Sequence, residues 1–273
     1  MNIQKVNTEI RNVEKTIKKP NMVQPGEDLY VGIDLGTAYI VMVVLGKDYR
    51  PLACEMEFAQ VIKDGLVVDF MGAQRIVRKM KESIEEKLNI TITHGAIAVP
   101  PGTSEADSKT HYYVVEGAGI MVSSILDEPT AANLVLDIDN GAIVDIGGGT
   151  TGISVFENSE VKFTYDEPTG GTHLSLVLAG NYKIPFEEAE KKKKKSNKDP
   201  NIFAVVRPVL EKMATIVKNQ IEGLHVDVIY LVGGTCLIEG IEKVFESTCG
   251  IKVIKPKNPL LVTPVGIAKS DGR

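Results

Sequence analysis

Apolar and polar positions follow two different periods along this chain, and the changes from one period to the other mark its elements. Residues 30–34, 39–46 and 51–58 are apolar-rich runs parted by short polar breaks, which predicts three consecutive antiparallel strands. Shorter apolar pieces follow at 61–62 and 66–68. The period then lengthens: Ile76, Met80, Ile84 and Leu88 recur every four residues, with Val77 beside them, predicting an amphipathic helix over 72–88. Residues 92–99 form the next strand, stopped by Pro100-Pro101-Gly102, and Thr103 or Ser104 caps a helix running to about Glu116. A strand at 121–126 leads into a helix opened by Glu128-Pro129, where a first-turn proline has no amide bond to lose. A β meander followed by alternating strands and helices predicts an α/β fold with a mixed sheet.

The second half repeats the plan. Strands are predicted at 143–145, 153–156 and 161–165, and Thr169-Gly170-Gly171-Thr172 opens a helix carrying Leu174, Val177 and Leu178. After an acidic segment, five lysines at 191–195 and a polar break to Pro200, the spacing of Ile202, Val206, Val209, Met213, Val217 and Ile221 predicts a long helix. The lysine run reads as a solvated helix end or loop. Strands at 228–232 and 252–254, a helix starting near Ile238 and a closing helix over 262–269 complete the chain. Residues 1–28 mix both charge signs with few apolar positions, and read as a mobile extension or a loosely attached helix.

The chemistry sits in the turns of the two meanders. Ile143-Val144-Asp145-Ile146 runs into Gly147-Gly148-Gly149-Thr150-Thr151 before the next strand. Glycines let backbone amides approach anionic oxygens, the two threonines offer hydroxyls, and Asp145 can hold the water shell of a magnesium ion. Val31-Gly32-Ile33-Asp34-Leu35-Gly36-Thr37 is the same device in shorter form. A strand, an Asp, then Gly-Thr and a second strand, occurring twice, predicts two similar halves that each aim a hairpin turn and a carboxylate at a shared cleft.

Composition narrows the function. The 273 residues suffice for two lobes with sizeable cores, and a net charge of −5 without a basic, aromatic-studded face argues against nucleic acid as the main partner. Apolar runs are far shorter than the ~20 residues that span a bilayer, and the N-terminus lacks the apolar core of a signal peptide, so no membrane association is expected. Three cysteines and four histidines show no metal-ligand spacing, which leaves reduced thiols and no structural metal as the expectation.

These motifs resemble those of the actin, heat-shock-70 and sugar-kinase superfamily. Asp34-Leu35-Gly36-Thr37 is similar to its first phosphate loop and Asp145-Ile146-Gly147-Gly148-Gly149-Thr150 to its second. Glu128-Pro129-Thr130-Ala131-Ala132 resembles the first connecting helix of heat-shock-70 proteins, and Leu231-Val232-Gly233-Gly234-Thr235 the adenosine loop. Within the superfamily the short chain most resembles the chaperone-like proteins of bacterial ethanolamine-utilisation operons, and residues 61–69 resemble a stretch of the rod-shape actins. The resemblance implies an actin-like ATPase (ribonuclease H-like) fold, with two lobes of mixed β-sheet and flanking helices around a nucleotide cleft. It divides the chain into an extension at 1–29, lobe I at 30–140 and lobe II at 141–273, with a reduced subdomain at about 183–202 and a C-terminal helix packing back on lobe I.

Roles follow from the same resemblance. It implies ATP or ADP with Mg2+ as cofactors, the metal held by Asp34 and Asp145 and the phosphates by Gly36, Thr37, Gly147, Gly148, Gly149 and Thr150. Gly170 and Gly171 join that nucleotide-binding set, Gly233 and Gly234 take the adenosine side, and Glu190 and Lys193 match a Glu-x-x-Lys helix on adenine and ribose, although the lysine run offers several registers. Glu128 is the residue implied to position or deprotonate the attacking water. No counterpart of the heat-shock-70 lysine on the γ-phosphate is found, and no peptide-binding clamp is expected after Arg273. The implied function is an ATP-binding, slowly hydrolysing, chaperone-like protein that acts on a partner, an ethanolamine-catabolism enzyme or a microcompartment component. The alternative is an actin-like scaffold or polymer with little hydrolysis. A cytoplasmic location is expected, with microcompartment association as a further implication.

Overall fold

The protein is described here by a computed structural model covering residues 1–271. In chain order its elements are α1 (Ile3–Lys18), β1 (Tyr30–Leu35), β2 (Tyr39–Leu45), β3 (Pro51–Phe58), β4 (Ile62–Lys63), β5 (Leu66–Val67), α2 (Phe70–Leu88), β6 (His94–Val99), α3 (Glu105–Glu116), β7 (Met121–Asp127) and α4 (Glu128–Leu136). The chain continues through β8 (Gly141–Ile146), β9 (Thr151–Glu157), β10 (Glu160–Glu167), α5 (Gly171–Tyr182), α6 (Phe186–Lys193), α7 (Pro200–Gln220), β11 (Val228–Val232), α8 (Ile241–Cys249), β12 (Lys252–Ile254) and α9 (Val262–Ser270). Two compact units result: residues 1–137 with 261–271, and residues 138–260.

In the first unit the sheet order is β3-β2-β1-β6-β7. The strands β1, β2 and β3 form an antiparallel meander, and β1, β6 and β7 run parallel. Parallel strands need helical crossovers on the sheet faces, and their near-continuous apolar sequences follow from burial on both sides. One face packs Ile33, Ile40, Met42 and Val44 against Val77, Met80 and Ile84 of α2 and Val114 and Val115 of α3. The other is lined by Ala96 and Ala98, which pack with Ala131 of α4 and Ile267 of α9. Small side chains here permit very close helix approach: a Cβ on Gly266 would lie 1.8 Å from Ala131 O, and one on Gly32 2.3 Å from Ala268 N. The end of α9 is clipped by Asp271, which accepts from Val31 N at 2.8 Å.

The N-terminal segment differs from its sequence expectation. Asn2 caps α1 by accepting from Gln4 N and Lys5 N, and the helix buries Val6, Ile10 and Val13 in contact with β3, α4 and α9. Burying each such side chain contributes about 1.5–3 kcal/mol, enough to hold a polar helix on the unit. Lys269 of α9 adds an ion pair to Glu9 at 2.6 Å.

The second unit repeats the topology as β10-β9-β8-β11-β12, with an antiparallel β8-β9-β10 meander and parallel β8, β11 and β12. Val144, Ile146, Ile153 and Val155 pack with Leu174 and Leu178 of α5, Val206, Leu210 and Met213 of α7, and Phe245 of α8. A single 3-10 turn, Gly234–Leu237, intervenes after β11 and delays α8 to Ile241, past the start expected near Ile238. All three cysteines are free and buried, and burial pushes the Cys54 thiol up to about 12, too high for thiolate chemistry. Among the described residues no helix is long and apolar enough to cross a membrane.

Candidate functional site

In the second unit the β8–β9 connection is pinned by its own backbone. Gly147 N donates to Thr150 O at 3.0 Å, while the carbonyls of Gly147 and Gly148 accept from Gly171 N at 3.0 Å and Thr172 N at 2.8 Å, at the start of α5. Thr235 Oγ1 donates a further bond to Gly147 O at 2.7 Å. No peptide bond is cis, so each of these carbonyls fixes the following amide on the opposite side of its peptide plane. The N–H groups of Gly148 and Gly149 are therefore turned away from α5. Consecutive amides turned one way make a concavity suited to an anion such as phosphate.

Glycines at two neighbouring positions make this packing possible. A Cβ on Gly170 would lie 2.7 Å from the Gly148 carbonyl and from Gly149 C, so the turn rests directly on the chain entering α5. Gly233 has φ +91°, and a Cβ there would meet Asp145 Oδ1 at 2.3 Å and Ile146 O at 2.5 Å. Asp145, 5% exposed, thus sits at the end of β8 against the backbone at the end of β11, its register partner there being Val232. Both strands present their carboxyl ends at this edge, the usual place for a ligand on a parallel α/β sheet.

The threonine hydroxyls are placed differently from their sequence reading. Thr151 Oγ1 donates to Thr169 O at 2.6 Å, and the Thr150 side chain hydrogen-bonds the carboxyl of Asp166. Both hydroxyls serve the fold, and the turn offers its amides. Sequence reading also missed Asp166, on β10. Burial is the main reason its carboxyl is pushed up to about 6; the Thr150 bond opposes the shift and the charge of Asp145 adds to it.

Glu190 and Lys193 come together on α6. Lys193 Nζ pairs with Glu190 Oε2 at 2.7 Å and donates to Gly171 O at 2.9 Å, and Ser175 of α5 donates to the same carboxylate oxygen. Desolvation lowers the Lys193 pKa despite the Glu190 charge that opposes it. This network settles which lysine of the run faces inward and joins α6 to the α5 start on which the glycine turn rests. Ser175 and Asp166 carried no motif signal, because each is brought in by pairing between distant elements; Thr235 closed the Gly233-Gly234 motif, but its bond to Gly147 O was not foreseen.

In the first unit Asp34 lies near the carboxyl end of β1, opposite Val41 of β2, and Gly36 and Thr37 form the turn between them. A Cβ on Gly36 would lie 2.7 Å from Tyr39 O, so only glycine fits that turn unchanged. Glu128 opens α4 directly after β7, and the cap at Asp127 accepts from Thr130 N at 2.9 Å. Since β1 and β7 each run parallel to β6, Asp34 and Glu128 stand at the same edge of that sheet.

An anion-directed glycine turn beside the buried carboxylate of Asp145 fits a phosphate chain with Mg2+, which needs one or two carboxylates and keeps several waters. No group of three or more His, Cys, Asp or Glu side chains suited to a metal is found among the described residues. Twin meander sheets carrying paired Asp-x-Gly turns define an actin-like ATPase fold. The structure of MreB5 from Spiroplasma citri bound to ADP shares it, with a TM-score of 0.69 at 18% identity over 87% of this chain and 94% of that one. Residues 112–262 match the family model described as type IV pilus assembly protein PilM.

The particular relationship is closer. Ethanolamine utilization protein EutJ of Salmonella typhimurium is 43% identical over 89% of this chain and 85% of its own length. The crystal structure of EutJ from Carboxydothermus hydrogenoformans superposes with a TM-score of 0.91 at 46% identity, covering 98% of this chain and 99% of that one. The chain belongs to the EutJ family.

Proposed function

We propose that this protein is a nucleotide-binding switch of ethanolamine utilisation, which binds Mg2+ with ATP or ADP, hydrolyses ATP slowly and acts on a partner protein. The observation that carries the reading is the 147–150 turn, whose carbonyls are consumed by α5 and Thr235 and whose Gly148 and Gly149 amides are thereby directed outward. In this reading those amides take the β- and γ-phosphate oxygens, and the Gly36-Thr37 turn supplies amides from the first unit. Asp145 and Asp34 hold the water shell of the metal, whose charge offsets that of the phosphates. Gly233 and Gly234 let the adenosine side lie against backbone, flanked by Glu190 and Lys193. Glu128 orients the attacking water or takes its proton, a contribution of ~10²–10⁴-fold where such a base acts. Phosphoryl transfer to water depends mainly on positioning and charge stabilisation, which these groups supply.

In this reading the nucleotide state, ATP or ADP, is what the partner senses. The EutJ relatives support ethanolamine utilisation as the setting; within this reading, the partner is an ethanolamine-catabolism enzyme or a microcompartment component, and the location is the cytoplasm. Hydrogen exchange tests the reading: Mg2+ with ADP should slow exchange at 147–150, 233–235 and 36–37 together. Protection absent from all three segments at saturating nucleotide rejects it.

A further inference from the structure

The pairing of the second sheet brings a further carboxylate to the glycine turn. Asp145 of β8 is in register with Gly152 of β9, and Gly152 with Asp166 of β10. Directly opposed residues of antiparallel strands project to the same face, so the row Asp145, Gly152, Asp166 carries carboxylates at both ends and no side chain in the middle. Asp166 is held by Thr150, the last residue of the turn. Its Oδ1 is sealed from solvent and has no hydrogen-bond partner among the described residues. A buried carboxylate oxygen without a donor is costly, and it is retained where a bound group supplies the donor.

We infer that Asp166 is a positioning residue for the hydrated cation: its Oδ1 accepts a hydrogen bond from a metal-bound water, while Asp145 takes the near side of the same water shell across the gap at Gly152. The inference deepens the nucleotide reading and rests on it. A strongly hydrated Mg2+ is suited to such an arrangement, because its waters present hydrogen-bond donors, which ionised phosphate oxygens lack. The Thr150 bond engages the carboxyl while Oδ1 is left without a donor. Burial and the neighbouring Asp145 charge both disfavour the ionised Asp166 carboxylate, and a divalent cation would offset that charge.

The test is calorimetric titration of ADP into wild type and Asp166→Asn, each with Mg2+ and with EDTA, alongside thermal melts of both proteins. Asparagine keeps the shape and an acceptor for Thr150 but weakens the acceptor charge. Outer-shell partners are typically worth about 10–100-fold, so Asp166→Asn should lose about tenfold in ADP affinity with Mg2+ and stay within about twofold in EDTA. Equal losses in both conditions would mean that Asp166 only shapes the turn, and an unchanged Mg2+ enhancement would mean that it does not meet the cation. Either overturns the inference alone. A wild type that binds no ADP under either condition overturns the nucleotide reading and this inference with it.

Discussion

Gly233→Ala is expected to damage the fold and the site together, because the missing Cβ is what lets the end of β11 lie against Asp145. Two costs add. At φ +91° an alanine is strained, about 1–2 kcal/mol. The new Cβ would lie 2.3 Å from Asp145 Oδ1 and 2.5 Å from Ile146 O, the latter fixed by the β8 backbone, so strand and loop must part by roughly an ångström. Overpacking of that kind costs about 1–3 kcal/mol, giving a total of about 2–5 kcal/mol. Typical domains have only about 5–15 kcal/mol to lose. Gly234→Ala is the built-in control, since its Cβ would meet only Leu260 Cδ1, at 3.1 Å, the end of a flexible side chain, and its cost should be under about 1 kcal/mol. Urea unfolding of the three proteins, with ADP titration of those that fold, reads both effects. If Gly233→Ala unfolds within about 0.5 kcal/mol of wild type and keeps its ADP affinity, the close packing on Asp145 is not what organises this edge.

Two further predictions concern ionisable groups. Lys193 and Glu190 have side chains 13% and 10% exposed, so Lys193→Met strands a buried carboxylate and should cost about 3–5 kcal/mol, whereas adding Glu190→Gln should recover most of the loss in a double-mutant cycle; additive losses would contradict the pairing. For Asp166, a carboxyl at about 6 in the folded, metal-free protein and near 4 when unfolded binds more protons folded than unfolded across that interval. Its contribution is therefore complete below about pH 4 and is lost as pH rises through about 6, a fall of about 1–2 kcal/mol after allowance for its partial exposure. Denaturation of the nucleotide-free protein at both ends of the interval should find Asp166→Asn gaining on wild type with pH; a constant difference refutes the assignment.

Much of the frame was legible in the sequence, for a physical reason. Strands buried on both faces are written as continuous apolar runs, and the turns joining β1 to β2 and β8 to β9 need glycine at fixed places, so both meanders and the strand 228–232 stand out locally. The stripe of Val6, Ile10 and Val13 was present too, but surrounding charges lowered the average and hid a helix that buries only one face. Asp166 was beyond local reading. It joins Asp145 only through two successive hairpin registers, and its sequence neighbours look like any solvated edge strand. The Ser175, Glu190 and Lys193 network is likewise assembled from α5 and α6, and the choice among five adjacent lysines is made by helix phase, which the run itself does not fix.

The most direct test of the account is calorimetric titration of Mg2+ with ADP and ATP into wild type and Asp145→Ala, with phosphate release followed on the same samples. The account predicts saturable binding by wild type at one site, slow phosphate release from ATP, and loss of binding in Asp145→Ala while the fold survives. Wild-type protein that takes up no nucleotide, or an Asp145→Ala variant that binds as tightly as wild type, would contradict it.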